Sequence, residues 1–143
     1  MENPESKIKY YQSRLGRITG TNYTEVRKKA WSLYHDIDVQ TGNRNCYVRA
    51  AYFDKQKVFL KTFWNHLYDK RLGHRIQRMP YYAAGIDLLK NSRADPEVYY
   101  RDSEKCYRFY GITRDGHKFI VQVKENRKGE KYHMSTFPPG HQE

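Results

Sequence analysis

Between residues 105 and 137 the chain alternates apolar and polar side chains with a period of two. Two turn-forming pairs interrupt the alternation, Asp115-Gly116 and Lys128-Gly129. Successive strand residues point to opposite faces, whereas a helical face repeats about every 3.6 residues, so this stretch sorts its side chains only as strands. Glycine tolerates the positive φ that two-residue hairpin loops demand. KCYRFYGIT, KFIVQVKE and KYHMSTF therefore predict three antiparallel strands joined by tight turns.

Counting outward from Lys128-Gly129 gives an expected register. Lys124 falls opposite His133, Gln122 opposite Ser135 and Val123 opposite Met134. Phe119, Val121, Val123, Met134 and Thr136 then share the core face. Gln122, Lys124, His133 and Ser135 share the other, flanked by Ile120 and Phe137. The same counting from Asp115-Gly116 adds Tyr107 and Phe109 to the outer face, where two aromatics beside Lys and His make a stacking platform for bases. It also turns Arg108 toward the core, a poor place for a guanidinium. Either the register differs there or Arg108 reaches around a strand end. A polar outer face alone does not separate a site from ordinary surface, because antiparallel sheets commonly solvate one side.

Upstream, the period changes. Ile8, Tyr11, Leu15 and Ile18 recur at helical spacing. Asn22 with Glu25 resembles a capping pair for a second helix, whose stripe is Val26, Ala30, Leu33 and Ile37 and which Gly42 ends. After an extended piece, YVRAAYF, Asp54 can cap a third helix, DKQKVFLKTFWNHLYDK. A fourth, HRIQRMPYYAAGIDLLKNS, begins or kinks at Pro80 and buries Tyr82, Ile86 and Leu89. Residues 91–104 read as a loop. The expected fold is α+β: about four N-terminal helices on a C-terminal antiparallel meander of three to four strands. Residues 1–53 form a helical extension, 54–138 the core and 139–143 a tail of one domain.

The charge points to the partner. Lys and Arg number 27 against 16 Asp and Glu, a formal net charge of +11, and Tyr, at 14, is the dominant aromatic. Basic charge with abundant stacking faces favours single-stranded or unpaired nucleic acid, RNA first. Cys46 and Cys106 read as free thiols. The scattered His35, His66, His74, His117, His133 and His141 give no zinc spacing, so no metal or cofactor is expected. No apolar run approaches the ~20 residues of a membrane span, and the N-terminus lacks the apolar core of a secretory signal. A cytoplasmic protein is expected.

Taken together, WNHL on a helix and the meander RFYGIT…FIVQVKE…HMSTFP resemble the barnase/EndoU/colicin/RelE-like (BECR) nucleases, particularly their phage- and mobile-element-associated members. In that family a W-x-H-[IL] helix precedes a small antiparallel sheet whose final strand ends in a T/S-x-[FY]-P-like motif. The resemblance covers roughly residues 55–138. It implies a metal-independent, toxin-like endoribonuclease, in which the RNA 2′-OH attacks phosphorus to leave a 2′,3′-cyclic phosphate and a 5′-OH. The motif carries over to His66, and to Ser135 with Thr136 before Phe137-Pro138. Lys124 and Arg108 occupy places where members use basic residues to hold phosphate. His66 or His133 supplies acid or base, and Ser135 orients the phosphate. Tyr107, Phe109, Gln122 and Thr136 complete the expected RNA contacts. The glutamate base of barnase-like members has no firm match, since Glu125 falls on the core side at a strand end. A toxin with a basic site implies an acidic neutralising (antitoxin or immunity) partner.

Two other readings compete. Gln122-Val123-Lys124 matches the Q-x-K variant of the PD-(D/E)xK nucleases, which cut DNA with Mg²⁺ held by an upstream aspartate, here Asp102 or Asp115. Alternatively the same charge and aromatics serve a non-enzymatic RNA-binding module.

Overall fold

A computed structural model describes residues 8–42 and 45–140. In chain order its elements are β1 (Tyr10–Gln12), α1 (Tyr23–Gln40), β2 (Tyr47–Ala50), β3 (Gln56–Phe59), α2 (Lys61–Tyr68), α3 (Leu72–Arg78), a 3₁₀ turn (Met79–Tyr81), α4 (Tyr82–Asn91), β4 (Glu97–Arg101), β5 (Glu104–Ile112), β6 (Lys118–Glu125) and β7 (Lys131–Phe137). The alternating segment forms β5, β6 and β7 as an antiparallel meander. The meander, however, is only the middle of a curled, mixed, seven-stranded sheet ordered β1-β5-β6-β7-β3-β2. The free edge of β5 is shared, with β4 along residues 104–108 and β1 parallel to it along residues 110–112.

The expected plan of N-terminal helices on a separate C-terminal meander is thereby overturned. β1 and β3 form in stretches read as helical, β2 forms in the piece read as extended, and residues 1–53 contribute β1 and β2 to the sheet rather than forming a helical extension. The first predicted helix is a short strand followed by irregular chain. Tertiary anchors override its helical spacing, since Tyr11 and Ser13 donate to the Asp87 carboxylate at 3.0 and 2.7 Å. The third predicted helix starts late. Asp54 and Lys55 take left-handed φ of 53° and 67° and turn the chain into β3, so the helix begins only at Lys61. The loop expected over 91–104 holds β4, joined to β5 through Asp102 and Ser103 at φ 52° and 66°. Positive φ at both central residues is the signature of a tight hairpin turn, reached here without glycine.

Where local signals are strong, the chain follows them. Asn22 caps α1 by accepting from the Glu25 N–H at 3.0 Å, and Gly42 follows its end at φ +86°. Val26 and Ala30 are buried along its stripe, with Leu33 and Ile37 half-buried. Pro80 sits in the 3₁₀ turn that kinks α3 into α4, whose Tyr82, Ile86 and Leu89 are buried. Cys46 and Cys106 are buried free thiols. No helix among the described residues is long and apolar enough to cross a membrane.

Gly111 lies in a tightly packed spot of the sheet, where a Cβ would run into the Phe119 ring of β6 and meet Leu88 Cδ1 of α4. Gly111→Ala is expected to destabilise the fold by about 1–3 kcal/mol through overpacking. Urea denaturation checks this, and an unchanged midpoint would refute the close packing.

Candidate catalytic cleft

The site depends on two departures from the simple register. The first is a β-bulge in β7. Val121↔Thr136 and Gln122↔Ser135 pair as expected, but Val123 then pairs with His133 and Lys124 with Tyr132, leaving Met134 as the extra residue. One inserted residue reverses the sorting below it. His133 turns to the helix face and is fully buried, its ring stacked on Phe63 at 4.9 Å with planes 1° apart. Its Nε2 lies 2.7 Å from Thr136 Oγ1. Burial pushes its pKa down to about 3, only weakly opposed by the Ser135 backbone. His133 therefore stands inside the fold rather than on the outer face. Thr136 is also buried, beneath Gly85 of α4, and is not placed to touch RNA.

The second departure is the loop between β5 and β6. Ile112 pairs with Lys118, closing five residues rather than two. The odd difference in length shifts the register by one. Tyr107 and Phe109 consequently face the helices, packed on Phe53 at centroid distances of 4.8 and 5.9 Å. The stacking platform expected from them does not form. Arg108, conversely, turns outward opposite Gln122, which resolves the conflict of a guanidinium aimed at the core.

The outer face gathers the rest. His66, Tyr99, Arg101, Asp102, Gln122, Lys124 and Met134 line a cleft of about 220 Å³. Gln122 links its walls, donating to the Tyr99 hydroxyl at 3.0 Å and accepting from the Ser135 hydroxyl at 3.0 Å. Lys124 reaches Glu104 at 3.1 Å. Arg108 lies 4.9 Å over the Tyr99 ring and 3.4 Å from the Glu97 carboxylate. At the β7 end, the buried Arg78 covers Phe137 with its guanidinium 5.0 Å from the ring, bringing another cation to the face that carries Ser135. Glu125 lies on the core side as expected, accepting from the Tyr107 hydroxyl and paired with Lys131.

His66, Gln122 and Lys124 are thus brought together, with Ser135 and Arg108 bordering them. Tyr99 and Arg101 escape the sequence reading because β4 carries no glycine turn or apolar alternation. Its one signal is that Glu97, Tyr99 and Arg101 are spaced by two. Of the acidic residues that could serve a cation, Asp102 lies at this cleft, whereas Asp115 is in the β5–β6 loop, bound to Arg17 at 2.9 Å. Among the described residues no group of three or more His, Cys, Asp or Glu could hold a metal ion.

No protein-family model, curated relative or solved structure matches the chain.

Proposed function

We propose that the chain is an endoribonuclease that cleaves RNA by 2′-OH transesterification without a metal ion. The observation that carries this reading is the convergence of His66 and Lys124 with Tyr99, Arg101 and Gln122 on one cleft, in a protein of formal net charge +11. Imidazole accepts and donates protons near neutral pH. In the proposed reaction His66 takes the 2′-OH proton while O2′ bonds to phosphorus. The bond from phosphorus to the 5′-oxygen breaks, and the Tyr99 hydroxyl protonates that oxygen. Lys124 and Arg101 supply positive charge to the phosphorane, where charge develops and preorganised cations act most strongly. Arg108, stacked over Tyr99, and the Ser135–Gln122 pair hold the phenol in place. His133 has no part in the chemistry.

Such an enzyme would act as a toxin in the cytoplasm and be neutralised by an acidic protein covering this basic face. Unaided high-level expression without growth arrest would count against that role. Asp102 beside Gln122 and Lys124 leaves one specific rival, Mg²⁺-dependent DNA cleavage. The test is incubation with total RNA in EDTA, with end-group analysis of the products. Cleavage giving 2′,3′-cyclic phosphate ends, lost in Lys124→Ala, is the expected result. Activity that needs Mg²⁺ or prefers DNA would overturn the reading.

A further inference from the structure

A second row of aromatics lies on the far side of this cleft. Tyr132, Phe59 and Tyr47 stand in direct register across β7, β3 and β2. Because Tyr132 pairs with Lys124, all three rings share the face of the cleft. Their centroids are 5.6 and 6.3 Å apart, and each ring is half-buried. Lys57 and Arg49 place their cations 4.5 and 5.6 Å over Tyr47. Beyond Phe59 the chain leaves β7 and enters α2, which packs on β7. A cavity of about 200 Å³ opens there, lined by Phe59, Tyr132, Lys61, Asn65 and Glu130 among others. It adjoins the cleft along two elements. Thr62 lines the cavity and His66, one helical turn later, lines the cleft. Tyr132 lines the cavity and Met134, two residues on, lines the cleft.

We propose that this cavity is a nucleobase subsite for single-stranded RNA, holding a base next to the phosphate bound at His66 and Lys124. The assignment rests on reading that cleft as an RNA site. Phe59 and Tyr132 offer ring faces to one unstacked base, as proteins that bind single strands commonly do. The Asn65 amide can donate and accept along the base edge. The Glu130 carboxylate only accepts, so it favours bases that present an exocyclic amine (adenine, cytosine, guanine) over uracil, whose N3–H lies between two carbonyl oxygens that would face the same carboxylate. Lys61 is placed for the nucleotide's phosphate. A base paired in a duplex cannot enter, so the site selects single strands.

The test separates binding from cleavage. Short 2′-O-methyl oligonucleotides of A, C or U, which have no attacking hydroxyl, are titrated into the full chain and followed by fluorescence anisotropy at fixed salt. Oligo(A) or oligo(C) is expected to bind tighter than oligo(U). Asn65→Ala and Tyr132→Leu should each weaken it by about five- to a hundredfold. Asn65 is exposed, so its variant keeps the test valid if Tyr132→Leu fails to fold. Unchanged affinity in Asn65→Ala, or equal affinity for a duplex, overturns the subsite. Cleavage of ordinary RNA by a protein with variant-insensitive binding would remove the subsite and leave the nuclease. Asn65-dependent, amine-selective binding without any cleavage would do the reverse.

Discussion

Replacing His66 by alanine is expected to lower the rate of the proposed RNA cleavage by about 10²- to 10⁴-fold, the range of a positioned proton-transfer group, while the protein stays folded. The two halves of that expectation have different structural origins. α2 is anchored by its other side, where Phe63, Trp64 and Leu67 are buried and the Trp64 indole donates to the Tyr82 hydroxyl at 3.2 Å. His66 lies on the half-buried side that lines the cleft, so its loss leaves that anchor in place. In the proposed reaction Lys124→Ala should remove charge stabilisation rather than proton transfer, and the two losses need not add, because both would act on one transition state. The measurement is single-turnover cleavage of a labelled RNA in EDTA, with thermal unfolding of each variant alongside. A His66→Ala protein that cuts within a fewfold of wild type would remove His66 from the chemistry.

The elements legible in the sequence are those whose signals are local. The β5–β7 alternation, the Asn22 cap and the Tyr82, Ile86, Leu89 stripe each report on residues a few positions apart, and each forms. β2 falls in the piece read as extended, but β1 and β3 do not announce themselves, because each takes a partner far along the chain: Tyr10 pairs with Tyr110, and Phe59 with Tyr132. The site residues change faces for a narrower reason. A strand exchanges its faces with every one-residue shift, and KYHMSTF does not resist one. The interior takes His133 and Thr136, while the outer face at its end buries Phe137 under Arg78. Hydrophobicity therefore gives no penalty that would locate the Met134 bulge. In β5 the sequence did hold a warning, since the two-residue turn aimed Arg108 inward. The five-residue loop removes that cost and moves Tyr107 and Phe109 into the core.

Acid should destabilise this protein in part through His133. Its pKa falls from an ordinary value of 6.5 to about 3 in the folded chain, because burial disfavours the imidazolium. Between those two values the unfolded chain takes up a proton and the native state does not. The part of the stability that depends on His133 is therefore complete above about pH 6.5, falls as the pH drops, and stops falling near pH 3. From pH 7 to 4.5 the expected loss is roughly 2–3 kcal/mol, at about 1.4 kcal/mol for each pH unit within the window. His133→Gln, which offers Thr136 a polar partner but does not titrate, should be less stable than wild type at pH 7 and lose much less on acidification. Urea unfolding of both proteins at the two pH values decides the matter, since carboxylates common to both cancel in the comparison. Parallel curves would mean that His133 is protonated or solvated in the native state. That outcome would return an ionisable histidine to the underside of the bulge and reopen its place in the chemistry. Converging curves would fix it as a neutral pillar, holding Met134 and the Ser135–Gln122 pair in position from beneath the cleft.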